Sequence, residues 1–257
     1  MIPPFVKVII KSYIGKSVPP KTTSRGRPCA ANIDLVIDHI FYVLKTGCQW
    51  RMLPTTGVSW QTIHRHFCSW SKLGVFEKTY KHLLEFYLKR TGRSSKHLIT
   101  DCSFVKNMYG IGCLGPSSVD RGRKASKVSI IVDELGTVWG MSFHKGNKSD
   151  GKAFAHTTFS NSRTIQPYSA GKDFHGDKAY DSKRCSEVVS SLKAVNKIAR
   201  KRQVYPFSPI RARVEHVFAW LDKYRRIIVR YERHIVQYKS FTYLALLDLS
   251  ARKFEGI

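Results

Sequence analysis

The sequence predicts a mixed α/β fold, in which helices flank a mixed sheet and a small helical region comes first. Three observations predict it. Apolar residues recur at helical spacing between residues 32 and 92, strand-type runs begin at residue 97, and strands alternate with helices after residue 150. A succession of this kind is typical of helices that pack on the faces of one sheet.

Three helices are predicted within residues 31–93, each with a stripe of apolar residues on one face. Residues that favour helix ends mark their limits: Asn32, Gly47, Ser59, Gly74 and Gly92. Two interpretations of this region stay open. It is either a helix-turn-helix-like DNA-binding domain, with Arg65 on an outer face, or a structural cap on the domain that follows.

Residues 1–30 show no core pattern and end in the basic run Arg25-Gly-Arg-Pro, so we predict a basic N-terminal arm there. The sequence therefore divides into an arm (1–30), a helical domain (31–93) and a larger domain (94–257).

Within residues 94–257 we predict five strands, at 97–105, 127–133, 137–143, 173–177 and 194–199. Helices are predicted at 150–160, 182–192, 209–226 and 240–253. Three strands, then helix, strand, helix, strand and helix are the order that ribonuclease-H-like nucleases use. The predicted fold class is therefore a ribonuclease-H-like mixed sheet flanked by helices, preceded by a small N-terminal helical domain.

The charge balance predicts a polyanionic partner. The 257 residues include 44 Lys and Arg but only 18 Asp and Glu, which gives a formal charge of +26. Bound phosphates would neutralise this excess, so nucleic acid is the first candidate, with an acidic membrane surface or a ribosome as the alternative. No apolar run is long enough to span a membrane. The six cysteines form no CxxC pair, which indicates reduced thiols and a cytoplasmic location in a bacterium, or a nuclear one in a eukaryote or its virus.

Three acidic residues lie on apolar elements in this basic chain: Asp101, Asp177 and Glu215. Asp101 is inside a strand-type run, where an uncompensated carboxylate costs free energy. Asp177 ends a strand, and Glu215 lies at the edge of the apolar face of a helix. Such a placement would let the three carboxylates meet at one end of the sheet.

Carboxylate oxygens on rigid elements suit Mg²⁺ or Mn²⁺. Two ions about 4 Å apart could activate an attacking water or 3′-hydroxyl and stabilise the leaving oxygen. We therefore predict a site for Mg²⁺ or Mn²⁺, with two ions.

Each acid also has a structural interpretation. Asp101 could cap a turn or pair with a buried Arg. Asp177 competes with Asp181, which could instead cap the following helix. Glu215 could pair with Arg211 across one helical turn.

Five segments resemble DDE transposases of small bacterial insertion sequences, the family-five group, which are related to Harbinger-type enzymes. Leu44–Pro54 and Ser59–Trp70 look like the N-terminal region of that family. The segment Thr100-Asp-Cys-Ser resembles its first-aspartate motif, Gly176-Asp-Lys-Ala-Tyr-Asp its second, and Arg211-x-x-x-Glu followed by Tyr224-Arg-Arg its third-acid region. Ser208 and Asp222 stand where the signature has Tyr and Lys, and Lys223 is beside the latter.

The resemblance implies that Asp101, Asp177 and Glu215 are catalytic residues and metal ligands. It implies an enzyme that cuts DNA at the terminal inverted repeats of a mobile element and joins the ends to target DNA, as a homodimer or higher oligomer. Two alternatives are a transposase-derived DNA-binding protein with impaired catalysis and a nuclease without strand transfer. Predicted DNA-binding residues are Arg25, Arg27, Arg65, Lys178, Arg200, Lys201, Arg211, Lys223, Arg225, Arg226 and Arg230.

Overall fold

The computed structural model describes residues 2–17, 31–92, 94–201 and 209–255. Its N-terminal part contains four helices: α1 (Pro4–Ser17), α2 (Ile33–Thr46), α3 (Trp60–Lys72) and α4 (Val75–Thr91). The three predicted helices, α2 to α4, are confirmed. Asn32 caps α2 through its side chain, Ser59 caps α3, and Gly47 ends α2 in the left-handed conformation that favours glycine.

Helix α1 lies within the stretch predicted as a basic arm, and the sequence analysis missed it. Val6 and Ile10, one helical turn apart, are buried against the neighbouring helices α2 and α4. Lys7 forms an ion pair with Asp38 of α2 (2.6 Å). Short helices are stabilised mainly by tertiary contacts. The local sequence of this segment was therefore not enough to predict a helix. Arg25 and Arg27 lie outside the described residues.

Within the described residues the sheet contains seven strands, and two of them are short additions to its edge or end. In chain order they are β1 (His97–Asn107), β2 (Gly115–Pro116), β3 (Lys124–Asp133), β4 (Val138–Lys145), β5 (Asp173–His175), β6 (Val195–Asn196) and β7 (Val229–Arg230). The five main strands are ordered β4–β3–β1–β5–β6. Strand β3 is antiparallel to both of its neighbours, whereas β1, β5 and β6 are parallel. The ribonuclease-H-like mixed sheet predicted from the sequence is thus confirmed.

Six helices accompany the sheet: α5 (Asp150–Ser160), α6 (Ser162–Ser169), α7 (Lys183–Ser191), α8 (Ala212–Leu221), α9 (Arg225–Ile228) and α10 (Ile235–Phe254). Helix α5 packs on β1, β3 and β4 and contacts α7. Helices α8 and α10 lie on the other face, where the Tyr238 ring of α10 meets the Phe143 ring of β4 at 5.7 Å.

Two predicted boundaries are corrected by the structure, and one helix is added. The single helix predicted at 209–226 ends at Leu221, because Tyr224 adopts an extended backbone that buries its ring and brings its hydroxyl to Asp248. Helix α10 begins at Ile235, five residues earlier than predicted. Helix α6 was missed, since Pro167 lies inside a segment of only eight residues.

Helix α10 joins the N-terminal helices to the sheet. Its Phe241 ring stacks on the Phe67 ring of α3 with 4.2 Å between centroids, one turn from the contact that Tyr238 makes with the sheet. Buried residues of both parts form one continuous core. The division into an arm and two domains stays a prediction. Among the described helices, none combines the length and the apolar character that crossing a bilayer requires.

Replacing Phe241 by alanine should destabilise the fold by about 3–5 kcal/mol, because the ring is fully buried between two layers. Chemical unfolding monitored by tryptophan fluorescence measures this change. The matched control is Phe159→Ala. The Phe159 ring on α5 is 62% exposed, so its removal should change the free energy of unfolding by less than about 0.5 kcal/mol. A loss below about 1 kcal/mol for Phe241→Ala would contradict a core shared through α10.

Candidate active site

Asp101 lies on the sheet face that α8 and α10 cover. Side chains alternate along a strand, so Asp101 shares a face with Ile99, whereas Cys102 points to the opposite face. The opposite face lies beneath α5: Ser129, the cross-strand partner of Cys102, accepts a hydrogen bond from Thr157 of α5 (2.8 Å). The first predicted ligand therefore faces α8, the helix that carries the third.

Asp177 lies just beyond the end of β5. Because β5 is parallel to β1 and pairs His175 with Ile99, two further residues along each chain bring Asp177 and Asp101 to the same edge of the sheet. The Asp177 carboxylate accepts a backbone N–H two residues ahead (2.8 Å) and so begins a 3-10 turn, Lys178–Tyr180.

Gly176 permits this sharp turn. A Cβ atom at this position would lie 3.2 Å from the ring of Tyr180, tighter than ordinary van der Waals contact. That ring is buried, and its hydroxyl donates to the Cys102 thiol (3.4 Å) beneath the site. The close approach of backbone and ring holds Asp177 at the end of β5.

The surroundings of Asp101 oppose its ionisation. The pKa of this carboxyl is raised from 3.8 to about 6, chiefly by burial and also by the nearby Asp177 carboxylate. The N–H of Cys102 (2.7 Å) and the charge of Arg211 act in the opposite direction. In the part of the chain that the structure describes, neither aspartate forms an ion pair. Two close carboxylates thus lack a cationic partner in a protein that is rich in cations.

Basic residues lie around this pair. Arg211 is near enough to Asp101 to influence its pKa, and Lys178 directly follows Asp177. The backbone N–H of Lys201 donates to Asp181 (3.0 Å), which holds the exposed side chains of Arg200 and Lys201 next to the Asp177 turn.

Asp181 does not cap the helix that follows it, which was one interpretation of its position in the sequence. Helix α7 is capped by Ser182, whose hydroxyl accepts the N–H of Cys185 (3.3 Å). Asp181 instead anchors the segment that follows β6.

Glu215 lies in the first turn of α8, where Val214 and Val217 bury their side chains. The Glu215 side chain is exposed and follows Arg211 by one helical turn. Among the described residues it forms neither an ion pair with Arg211 nor a hydrogen bond with the aspartates. The structure therefore brings Asp101 and Asp177 together and leaves Glu215 on the helix that faces them, without direct contact.

Two predicted DNA-binding residues are corrected, because both are buried. The guanidinium of Arg230 donates to four backbone carbonyls and to the Ser126 hydroxyl, at 2.8–3.2 Å. Arg226 pairs with buried Glu232 (2.7 Å) and donates to the carbonyl of Cys48 (3.1 Å). Both arginines hold the fold together, because protein groups accept the hydrogen bonds of their guanidinium groups.

The other predicted DNA-binding residues that the structure describes are at least partly exposed: Arg65, Lys178, Arg200, Lys201, Arg211, Lys223 and Arg225. Ser208, one of the two departures from the family signature, lies outside the described residues. Asp222, the other, follows the last residue of α8, and partial burial raises its pKa.

One group of possible metal ligands was missed by the sequence analysis. His97, Asp173 and His175 have ligand atoms that all lie within 4.8 Å of one another. Their side chains meet because β1 and β5 are parallel and pair His97 with Asp173. No spacing along the chain signals this group, since the residues are brought together by strand register alone.

Comparisons with known proteins agree with this fold. Residues 115–247, more than half of the chain, match the family model described as "Transposase DDE domain". The chain belongs to this family. Residues 10–80 match a second model, described as "Putative transposase of IS4/5 family (DUF4096)". No curated protein matches the chain significantly.

Solved structures of Mos1 transposase show a distant likeness to the chain. The Mos1 strand transfer complex is 12% identical, with a TM-score of 0.37, over 94% of this chain and 82% of that chain. The catalytic domain of Mos1 mariner transposase is 11% identical, with a TM-score of 0.30, over 69% of this chain and 93% of that chain.

The family implies divalent ions, and the residues of this site fit them. Asp101 and Asp177 offer oxygen atoms, the donors that Mg²⁺ and Mn²⁺ prefer. The raised pKa of Asp101 and the absence of an ion pair at either aspartate, within the residues described, indicate a place where negative charge is not compensated by the protein. A bound cation would supply that compensation.

Asp101→Asn should stabilise the metal-free protein at pH 7.5 by about 1–3 kcal/mol, because the ionised carboxylate is disfavoured in the folded state. Folding raises the pKa to about 6, so this cost increases as the pH rises from about 4 to about 6 and is complete above that range. Urea unfolding of both proteins at pH 4 and pH 7.5 measures it. The advantage of the variant should disappear at the lower pH.

Glu85→Gln is the control for that experiment, since its carboxylate is 61% exposed and paired only with Lys89. Its effect should stay within about 0.5 kcal/mol at either pH. A wild-type protein as stable as Asp101→Asn at pH 7.5 would contradict the assignment of a destabilised carboxylate.

Proposed function

We propose that this protein is a DNA transposase that cuts DNA at the ends of a mobile element and joins the freed 3′ ends to target DNA. One observation carries the proposal: Asp101, within β1, and Asp177, just after β5, approach each other without an ion-pair partner among the described residues, although basic residues surround them. Family membership supports the same chemistry.

In this proposal Asp101, Asp177 and Glu215 hold the ions, Mg²⁺ or Mn²⁺ and two in number. When bound, such ions activate the attacking water or 3′-hydroxyl and stabilise the leaving oxygen. The protein supplies rigid oxygen ligands on β1 and after β5, and a helical ligand that can approach from α8. Arg211, which already influences Asp101, would help to hold the negatively charged backbone of the substrate.

The DNA partner is supported by the exposed basic residues beside the carboxylates. Lys178, Arg200 and Lys201 flank the Asp177 turn, and their charges would attract phosphates. Farther away, a cleft of about 450 Å³ is lined by Trp50, Tyr109 and Tyr231. The rings of Tyr109 and Tyr231 are 68% and 41% exposed, and exposed aromatic rings can stack on bases. Two element ends must meet for transposition, so we propose that at least two copies act together.

A transposase-derived DNA-binding protein with impaired catalysis is the second candidate. The exposed position of Glu215, which contacts neither aspartate, favours it. The two functions differ in their metal dependence, because a binder without catalysis would hold DNA equally well with or without Mg²⁺. A nuclease without strand transfer would produce cut but never joined products.

Single substitutions Asp101→Asn, Asp177→Asn and Glu215→Gln should each lower Mn²⁺-dependent cleavage by about 100-fold or more, because each removes one proposed ligand. The substrate is a duplex with the sequences that border the coding region, and gel analysis separates nicked from joined products. Binding of the same duplex should persist in all three variants, since removing negative charge does not weaken attraction to phosphates.

Two matched variants complete that experiment. Glu187→Gln changes an exposed acid on α7, and Asp181→Asn changes the neighbour that competes with Asp177 in the sequence. Both should keep most of the cleavage activity. Equal amounts of cleaved and joined DNA from the wild-type protein and Asp101→Asn would contradict the catalytic role of Asp101. That result would favour the transposase-derived DNA-binding protein.

Lys201→Gln should reduce the salt dependence of DNA binding. Each lost phosphate contact lowers the slope of log K against log salt by about 0.9 for duplex DNA. Fluorescence anisotropy at several salt concentrations measures the slope. Lys89→Gln is the control, because Lys89 lies on α4, is 61% exposed and pairs with Glu85. Identical slopes for the two variants would remove Lys201 from the DNA interface.

A further inference from the structure

We propose that His97, Asp173 and His175 form a second metal site, specific for a borderline divalent ion such as Zn²⁺. Nδ1 of His97 lies 3.1 Å from Nε2 of His175 and 3.8 Å from Oδ2 of Asp173. Ligand atoms bound to one tetrahedral Zn²⁺ are about 3.3 Å apart, given metal–ligand distances of about 2.0–2.1 Å. Small side-chain rotations would therefore close the three ligands around an ion.

The donor set determines the class of metal. Two imidazole nitrogens and one carboxylate oxygen suit Zn²⁺ and related transition ions, whereas Mg²⁺ requires oxygen ligands. Three protein ligands leave a fourth position for water. The side chains of His97 and Asp173 are 26% and 34% exposed, so an ion can enter directly from solvent.

The backbone already holds the ligands in place. Glu134 accepts the N–H groups of Lys96 (2.9 Å) and His97 (3.1 Å), which fixes the start of β1. The N–H of Asp173 donates to the carbonyl of Lys96 (2.9 Å) and fixes the start of β5 beside it. Preorganised ligands lose little conformational entropy when an ion binds.

Positive charges near His175 weaken the attraction of the site for a cation, and the Asp173 carboxylate partly offsets them. Lys197 and Arg211 act on His175 as positive charges, and Asp173 acts against them. The competing explanation of the cluster is a hydrogen bond between the two imidazoles, for which 3.1 Å is a normal distance if one ring donates. Metal binding measurements distinguish the two.

The position of the cluster suggests a structural role for the ion. His97 and Asp101 lie on the same face of β1, about 13 Å apart at the usual rise per residue of a strand. An ion here would join the beginnings of β1 and β5, the strands that lead to Asp101 and Asp177. The site uses none of the proposed catalytic ligands, although His175 lies only two residues before Asp177, and it does not depend on the transposase function.

The test is a zinc titration of the full-length chain, freed of metal by a chelator and kept reduced, in competition with a chromophoric zinc indicator. Wild-type protein should bind one more equivalent of Zn²⁺ than His175→Gln, and should keep it in excess Mg²⁺. Asp173→Asn and His97→Ala should weaken that binding by about 100-fold, since each removes a ligand. Zn²⁺ should also raise the melting temperature of the wild-type protein but not of the variants.

Two controls separate this site from others. His82→Ala removes a histidine on α4, and Asp177→Asn removes a proposed catalytic ligand. Both should bind Zn²⁺ as the wild-type protein does. Co²⁺ provides a measurement that needs no variant, because tetrahedral coordination by nitrogen and oxygen gives visible absorption without the thiolate bands of a cysteine site. Equal zinc binding by wild type and His175→Gln, or a Co²⁺ spectrum with thiolate bands alone, would overturn the proposal.

Discussion

The parallel pairing of β1 with β5 is the constraint on which the rest of the site depends. It joins segments more than seventy residues apart and fixes Ile99 opposite His175. From that register follow the approach of His97 to Asp173 and His175 at the start of β1 and, two residues beyond the Ile99–His175 pair, the approach of Asp177 to Asp101. A slip of one residue would turn each set of side chains to opposite faces of the sheet, and neither group could then share an ion.

The protein maintains this arrangement at a cost in stability. With 44 basic residues available, a buried carboxylate could easily have acquired an arginine partner, as Glu232 has in Arg226. Among the described residues Asp101 has no ion-pair partner, and burial together with the nearby Asp177 carboxylate raises its pKa although the charge of Arg211 acts against them. Residues kept in an unfavourable protonation environment are more typical of functional sites than of structural ones, because nothing in folding selects for them.

Features that depend on local sequence, such as helix ends and the succession of strands and helices, could be predicted. Features that depend on contacts between distant segments, such as the burial of an arginine, could not. Asn32, Ser59 and Gly47 are residue types that favour helix ends, so the limits of α2 and the start of α3 were predicted, and the fold class followed from the succession of strands and helices. The burial of Arg226 and Arg230 could not be predicted, because both lie in a basic run that looks uniformly exposed. Arg230 is buried only because carbonyl groups of Ile111 and Gly112, far away in sequence, accept its donors. The cluster of His97, Asp173 and His175 was not predicted for the same reason. The distance between two strands along the chain does not reveal the register in which they pair.

Two groups of ligands on one sheet face need not compete for the same ion, because their donor atoms differ. Asp101 and Asp177 offer oxygen alone, which retains the hard, strongly hydrated ions that act on phosphates. His97 and His175 offer nitrogen, for which Mg²⁺ has little preference even when it is abundant. An ion that bridges the beginnings of β1 and β5 would restrict the relative movement of these strands and hence the separation of Asp101 and Asp177, which lie farther along them. A Zn²⁺ ion held by His97, Asp173 and His175 could in this way fix the distance between Asp101 and Asp177 that Mg²⁺ or Mn²⁺ binding requires.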